Sequence, residues 1–166
     1  MSDMRAGYIA IVGKPNVGKS TLMNRFIGEK LSAVTPKPQT TRHKIMGILN
    51  TDDAQAIFLD TPGILQPKDR LHKRMMKKAE SAISDSDLVL WMVEPFSAEE
   101  MPDLLKDKSL ILAINKIDKV RKESLLSLME IYNKVYGLEQ IVPISAKDGA
   151  GCDLLLSEIL KMLPEH

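Results

Sequence analysis

One short stretch constrains this chain more than any other: Gly13-Lys14-Pro15-Asn16-Val17-Gly18-Lys19-Ser20. It fits G-x-x-x-x-G-K-[ST], a loop whose backbone N–H groups cradle the phosphates of a nucleotide. The pattern has meaning only between a strand and a helix. Here the apolar run Tyr8-Ile9-Ala10-Ile11-Val12 precedes it, and Thr21-Leu22-Met23-Asn24-Arg25-Phe26-Ile27 follows with helical character. The stretch therefore dictates a buried strand, a tight phosphate-binding turn and a helix, in that order. It restricts the chemistry to nucleotide phosphates.

The rest of the chain repeats that alternation. Apolar runs predict strands over 8–12, 44–49, 55–60, 88–93, 109–114 and 140–144. Helical periodicity predicts helices over 19–28, 69–84, 121–136 and 151–163, with a weaker one near 101–106. Strands alternating with helices imply an α/β fold whose mostly parallel sheet is covered on both faces. Leu88-Val89-Leu90-Trp91-Met92-Val93 and Leu110-Ile111-Leu112-Ala113-Ile114 are apolar without alternation, as central parallel strands are. The turn Asn50-Thr51-Asp52-Asp53-Ala54 joins 44–49 to 55–60 like a hairpin, which makes 44–49 an antiparallel edge strand. The result is a doubly wound six-stranded sheet, with ligands expected beyond the carboxyl ends of its strands.

Composition narrows the setting. A chain of 166 residues suits one compact domain, and its net charge of +1 makes no global case for nucleic acid or membrane binding. DNA is not an expected partner. Cys152 is the sole cysteine, so no internal disulfide is possible, and a reducing cytoplasm is expected. The N-terminus is too polar for a signal peptide, and no apolar run approaches the ~20 residues that span a bilayer. His43 and His72 lack the spacing of metal ligands, and no Ser-His-Asp or Cys-His arrangement can be argued.

Three further motifs follow predicted strands. In the first loop, Lys19 is expected to reach the β- and γ-phosphates, and Ser20, beside Thr21, to offer its hydroxyl to Mg2+. Asp60-Thr61-Pro62-Gly63 closes the third strand. Asp60 is positioned to hold Mg2+ through water, and Gly63 to bring its N–H close to the γ-phosphate. Asn115-Lys116-Ile117-Asp118 follows the fifth strand. A carboxylate at Asp118 can accept two hydrogen bonds from guanine, a donor pair that adenine lacks. The Lys116 stem can lie along the base with its ammonium in water, and Asn115 can tie the base loop to the phosphate loop. Ser145-Ala146-Lys147 follows the sixth strand, where the Ala146 N–H is expected to meet the guanine oxygen. In this order, the motifs point to GTP over ATP.

With these elements together, the chain resembles the translation-factor-class GTPases, and most closely the Era-like family of bacterial ribosome-assembly GTPases. The resemblance spans 1–163 and includes the segment Pro36-Lys37-Pro38-Gln39-Thr40-Thr41-Arg42-His43. It implies the G-domain fold of the phosphate-loop NTPases and binding of GTP and GDP with Mg2+. It also implies that Thr41, with Thr40 as the alternative, closes on Mg2+ and the γ-phosphate. Loss of that phosphate would release 31–43 and 61–70. The family carries a C-terminal KH domain that binds the 3′ end of small-subunit ribosomal RNA, and peripheral membrane association is known in it. The chain ends at Leu163-Pro164-Glu165-His166, where that domain would begin, so an isolated GTPase domain is expected, with RNA and small-subunit contacts implied through the missing KH domain.

The hydrolytic machinery reads less completely. Ras-like enzymes orient water with a Gln after D-x-x-G, but Ile64 stands here. Lys19, Mg2+, the Thr41 and Gly63 contacts and other backbone N–H groups remain to stabilise charge. The resemblance implies that Asn16 can coordinate K+ in place of an arginine finger. A local loop-stabilising side chain is the other reading of Asn16. The expected activity is slow GTP hydrolysis, and a guanine-nucleotide-binding module with negligible turnover is the alternative. A basic face spanning Lys68–Lys78 suits either RNA or simple solvation.

Overall fold

Side-chain alternation sorts the apolar runs onto two faces of one sheet. The computed structural model describes residues 4–30, 43–61 and 70–165. Its strands are β1 (Arg5–Val12), β2 (Ile45–Asn50), β3 (Ala54–Asp60), β4 (Leu88–Val93), β5 (Leu110–Ile114) and β6 (Ile141–Pro143). Its helices are α1 (Lys19–Lys30), α2 (Arg70–Asp85), α3 (Lys122–Tyr136) and α4 (Cys152–Met162). The strand order is β2-β3-β1-β4-β5-β6, with β2 antiparallel to β3 and every other pairing parallel. This is the doubly wound sheet with one antiparallel edge that the alternation predicts.

Ile9 and Ile11 of β1 face a core shared with Leu22 and Phe26 of α1 and Leu155 and Ile159 of α4. Ala10 and Val12 face the opposite core, with Ile83 of α2 and Leu128 and Tyr132 of α3. Leu88, Leu90 and Met92 join the first set while Val89, Trp91 and Val93 join the second. A strand buried on both faces has no polar positions to alternate with. Trp91 meets Tyr132 edge-on, ring centroids 5.7 Å apart, which anchors α3.

Some boundaries differ from the sequence reading. β1 starts at Arg5, because Arg5, Ala6 and Gly7 pair with Ala54, Gln55 and Ala56 although they are not an apolar run. The Arg5 guanidinium also donates to the carbonyls of Lys161 (2.8 Å) and Leu163 (2.9 Å), tying the end of α4 to the sheet. The weak helix near 101–106 is a single 3-10 turn, Asp103–Leu105. Pro102 before it is extended and Asp107 after it is left-handed, so neither side can extend the turn. Among the described residues, no helix is long and apolar enough to cross a membrane.

Candidate functional site

The carboxyl ends of β1, β3, β5 and β6 lie along one edge of the sheet, and each carries one of the motifs. β1 delivers the phosphate loop. Gly13 is required there because a Cβ would stand 2.8 Å from Val17 Cγ1 and 2.9 Å from the Met92 carbonyl oxygen. Gly18 is required more strictly: its φ is +113° and a Cβ would sit 2.1 Å from Asn115 Nδ2. Lys14, Pro15 and Asn16 are exposed and Val17 is buried. The Val17 N–H closes the turn on the Lys14 carbonyl at 3.2 Å. Ser20 and Thr21 open α1 on its exposed side.

Lys19 reaches back across the loop. Its ammonium donates to the Thr61 carbonyl at 3.1 Å and lies 3.9 Å from Asp60 Oδ1. Burial pulls its pKa below the usual lysine value, and the Asp60 charge opposes that shift. Thr61 is itself buried, its hydroxyl donating to the Ile11 carbonyl at 2.6 Å, which stitches the end of β3 to β1. On the α2 side of Asp60 is a cavity of about 480 Å3 lined by His43, Lys44, Asp60, Thr61, Met75, Lys78 and Ser81. His43 Nε2 lies 2.6 Å from Asp85 Oδ2 at the end of α2. Thr40, Thr41, Pro62, Gly63 and Ile64 lie outside the described residues, as does most of the 31–43 and 61–70 segments. The Leu71 and His72 side chains also lie outside the description.

Asn115 is the hub of the side that the sequence reading assigns to the base. It is 3% exposed, and both ends of its amide are used. Nδ2 donates to the Val17 carbonyl at 2.9 Å, and Oδ1 accepts the Ala146 N–H at 2.9 Å. One side chain thus joins the loops after β1, β5 and β6. The Ala146 N–H, which the sequence reading assigns to a guanine oxygen, donates to the Asn115 amide oxygen, a buried acceptor that needs a donor. Asp118 Oδ1 accepts from the Ser145 hydroxyl at 3.3 Å, and Ser145 Oγ accepts the Asp148 N–H at 3.2 Å.

Lys116 also differs from expectation. Its ammonium is not left to water: it donates to the Asn16 carbonyl at 2.9 Å and pairs closely with Glu94. Both Lys116 and Asn16 hold positive φ, 65° and 67°.

Two residues escaped the sequence reading. Arg25 of α1 donates through Nε to the Ala146 carbonyl and through Nη2 to the Lys147 carbonyl, both at 2.8 Å. No motif marks it, because its partners are backbone atoms more than a hundred positions away. Glu94 had a signal of the same kind as Asp60, a carboxylate at the carboxyl end of an apolar strand. Nearby, Glu99 lies 3.8 Å from Lys14. Burial pushes the Glu99 carboxyl up, with Lys14 opposing. Its backbone N–H donates to the Tyr132 hydroxyl at 2.8 Å, and burial pushes that phenol up to about 12.

A doubly wound sheet with a phosphate loop after its central strand, and two further loops locked onto that loop, defines a nucleotide-binding domain of the phosphate-loop class. The chain belongs to the family described as 50S ribosome-binding GTPase, whose model matches residues 8–125. It is 48% identical to GTPase Era of Syntrophus aciditrophicus over 168 residues, 97% of this chain and 55% of that protein. Among solved structures, a variant of Aquifex aeolicus Era bound to GDP·AlF4− superposes with a TM-score of 0.81 at 44% identity, covering 98% of this chain and 58% of the other. A structure of Era with MgGDPNP and nucleotides 1506–1542 of 16S ribosomal RNA gives the same TM-score, identity and coverage. The chain spans about half the length of the curated relatives it matches.

Proposed function

We propose that this domain binds GTP and GDP with Mg2+, hydrolyses GTP slowly, and serves as the nucleotide switch of an Era-like protein acting in small ribosomal subunit assembly. The observation that carries the reading is the junction at Asn115, which locks the phosphate loop to the loops bearing Asp118 and Ser145–Lys147. Asp118 receives guanine. Lys116, Ser145, Ala146 and Lys147 wall the base pocket, with Ala146 contributing its packing. Gly13 to Thr21 receive the phosphates, and Lys19 supplies the cation.

The donor set fits Mg2+. Among the described residues, no group of three or more His, Cys, Asp or Glu could hold a metal on its own. Mg2+ is commonly held by one or two protein oxygens together with nucleotide phosphates and waters, and Ser20 and Asp60 would offer such oxygens. Bound there, the ion supplies positive charge to the phosphates undergoing transfer. Thr41, Thr61, Pro62 and Gly63 complete the γ-phosphate side in this reading.

K+ at Asn16 is the proposed substitute for the glutamine that Ile64 replaces. It predicts faster hydrolysis in K+ than in Na+ buffer, and equal rates remove it. The proposed setting is the cytoplasm. Ribosomal RNA contact runs through a KH domain outside this chain, peripheral membrane contact belongs to the whole protein, and DNA is not a partner. The decisive experiment on the base pocket is Asp118→Asn. Affinity should shift from guanine toward xanthine nucleotides, with GDP binding weakened by on the order of 100-fold or more. An unshifted preference overturns the assignment. Single-turnover hydrolysis no faster than that of free GTP would instead favour a binding module.

A further inference from the structure

The junction between base loop and phosphate loop has a third member that no motif covers. Residues 16 and 17 form the outer turn of the phosphate loop, and both of their carbonyls are held by consecutive side chains of the base loop. Asn115 Nδ2 takes the Val17 carbonyl and Lys116 Nζ takes the Asn16 carbonyl, each at 2.9 Å. Asn115 is buried, so packing and its second bond to Ala146 fix its direction. Lys116 has no such support. Its side chain is 31% exposed and ends in a flexible four-carbon stem that can swing to water. What aims it is the Glu94 carboxylate, its close partner.

Glu94 is placed for this by the sheet. It directly follows Val93, the last residue of β4, and the Val93 carbonyl accepts the Asn115 N–H at 2.9 Å. The two strand ends therefore run side by side, setting Glu94 next to Lys116. Asn16 and Lys116 are two of the three non-glycine residues with positive φ among the described residues, a backbone state that persists only where surrounding contacts hold it. One ammonium spans both, and one carboxylate holds that ammonium.

We propose that Glu94 is a positioning residue for nucleotide binding. Its carboxylate keeps the Lys116 ammonium on the Asn16 carbonyl and thereby makes the base loop and the phosphate loop act as one unit. The inference rests on the guanine-nucleotide reading of the site. Glu94 touches no ligand itself; it acts through Lys116. Loss of its charge should weaken ligands that engage both loops and spare a ligand that needs only the phosphate loop.

The test is fluorescent GDP binding to the wild-type chain, Glu94→Gln, Lys116→Met and the double variant, with pyrophosphate competition as the phosphate-loop probe. Glu94→Gln should weaken GDP about tenfold, mainly through faster release, and pyrophosphate less than about threefold. In the Lys116→Met background the same change should cost less than about twofold, because its target is gone. The thermal midpoint of the nucleotide-free protein is measured alongside. GDP binding by Glu94→Gln within about twofold of wild type overturns the proposal. So does an equal loss in both backgrounds, or a loss shared equally by GDP and pyrophosphate, since either marks a general effect on the fold. If Glu94→Gln does not fold, Glu94→Asp is read by the same criteria. Its shorter carboxylate should give a smaller loss that is again absent without Lys116. A wild-type chain that binds no GDP overturns the guanine reading itself, an outcome distinct from a variant that binds as well as wild type.

Discussion

The two ends of the candidate site are held together by different physics. On the proposed base side, Asn115, Ser145 and Ala146 are buried, and the Asn115 amide bonds backbone atoms of Val17 and Ala146, each at 2.9 Å. On the Asp60 side, the carboxylate faces Lys19 at 3.9 Å and Lys44 at 3.8 Å, and a cavity opens beside it. Buried hydrogen bonds leave a costly orphan when broken. Long, partly exposed ion pairs contribute little, because water competes for both charges. The base loops are therefore built as a rigid frame, while the charges around Asp60 are held weakly enough to exchange partners. The proposed switch needs that division: a fixed grip on the base and a labile reading of the last phosphate.

The largest predicted break in this contrast is Asn115→Ala. It orphans the Val17 carbonyl and the Ala146 N–H together, and should destabilise the fold by about 2–4 kcal/mol in chemical denaturation. A loss under about 1 kcal/mol would mean that the base side is no stiffer than the other.

Lys19→Met sharpens the opposite end. Lys19 is pulled below its ordinary pKa of 10.5 by burial, so the charged form is less favourable folded than unfolded. The unfolded chain then binds more protons between the lowered value and 10.5, and stability rises with pH across that window. Below the window the cost of the buried charge is fully present. Lys19→Met should therefore leave the nucleotide-free fold at least as stable at neutral pH, with any gain disappearing above pH 10.5, while phosphate binding collapses. Denaturation at neutral and high pH, with nucleotide titration alongside, checks both halves.

The smallest effect belongs to Lys44→Met. Its side chain is 80% exposed, so removing its pairing with Asp60 should change stability by less than about 0.5 kcal/mol. A larger change would show that the Asp60 side is more tightly built than its geometry implies.

Legibility in the sequence followed the same division. The phosphate loop, Asp60 and Asn115–Asp118 were readable because each sits at the carboxyl end of an apolar run, and order along the chain is order at the sheet edge. Asn115 as a tie between loops was readable for that reason too. The direction of individual polar atoms was not. The Ala146 N–H turns to Asn115 and the Lys116 ammonium to Asn16 and Glu94, since buried or half-buried groups take the partners that packing brings near. Arg25 was invisible because it binds backbone carbonyls, which leave no mark in side-chain spacing. The start of β1 was missed because Arg5 and Gly7 owe their strand pairing to β3 rather than to their own apolarity.

By itself, the order of residues determined the class of fold, the sheet edge on which the motifs gather and the residue types that meet there, because hydrophobic periodicity and glycine-dependent turns are local properties of a chain. Only the tertiary structure decided which carboxylate holds which cation. Glu94 and Lys116 lie 22 positions apart and Asn16 lies 100 positions from Lys116. Their meeting depends on β4, β5 and β1 lying at neighbouring places in the sheet, a long-range arrangement that no window of sequence contains.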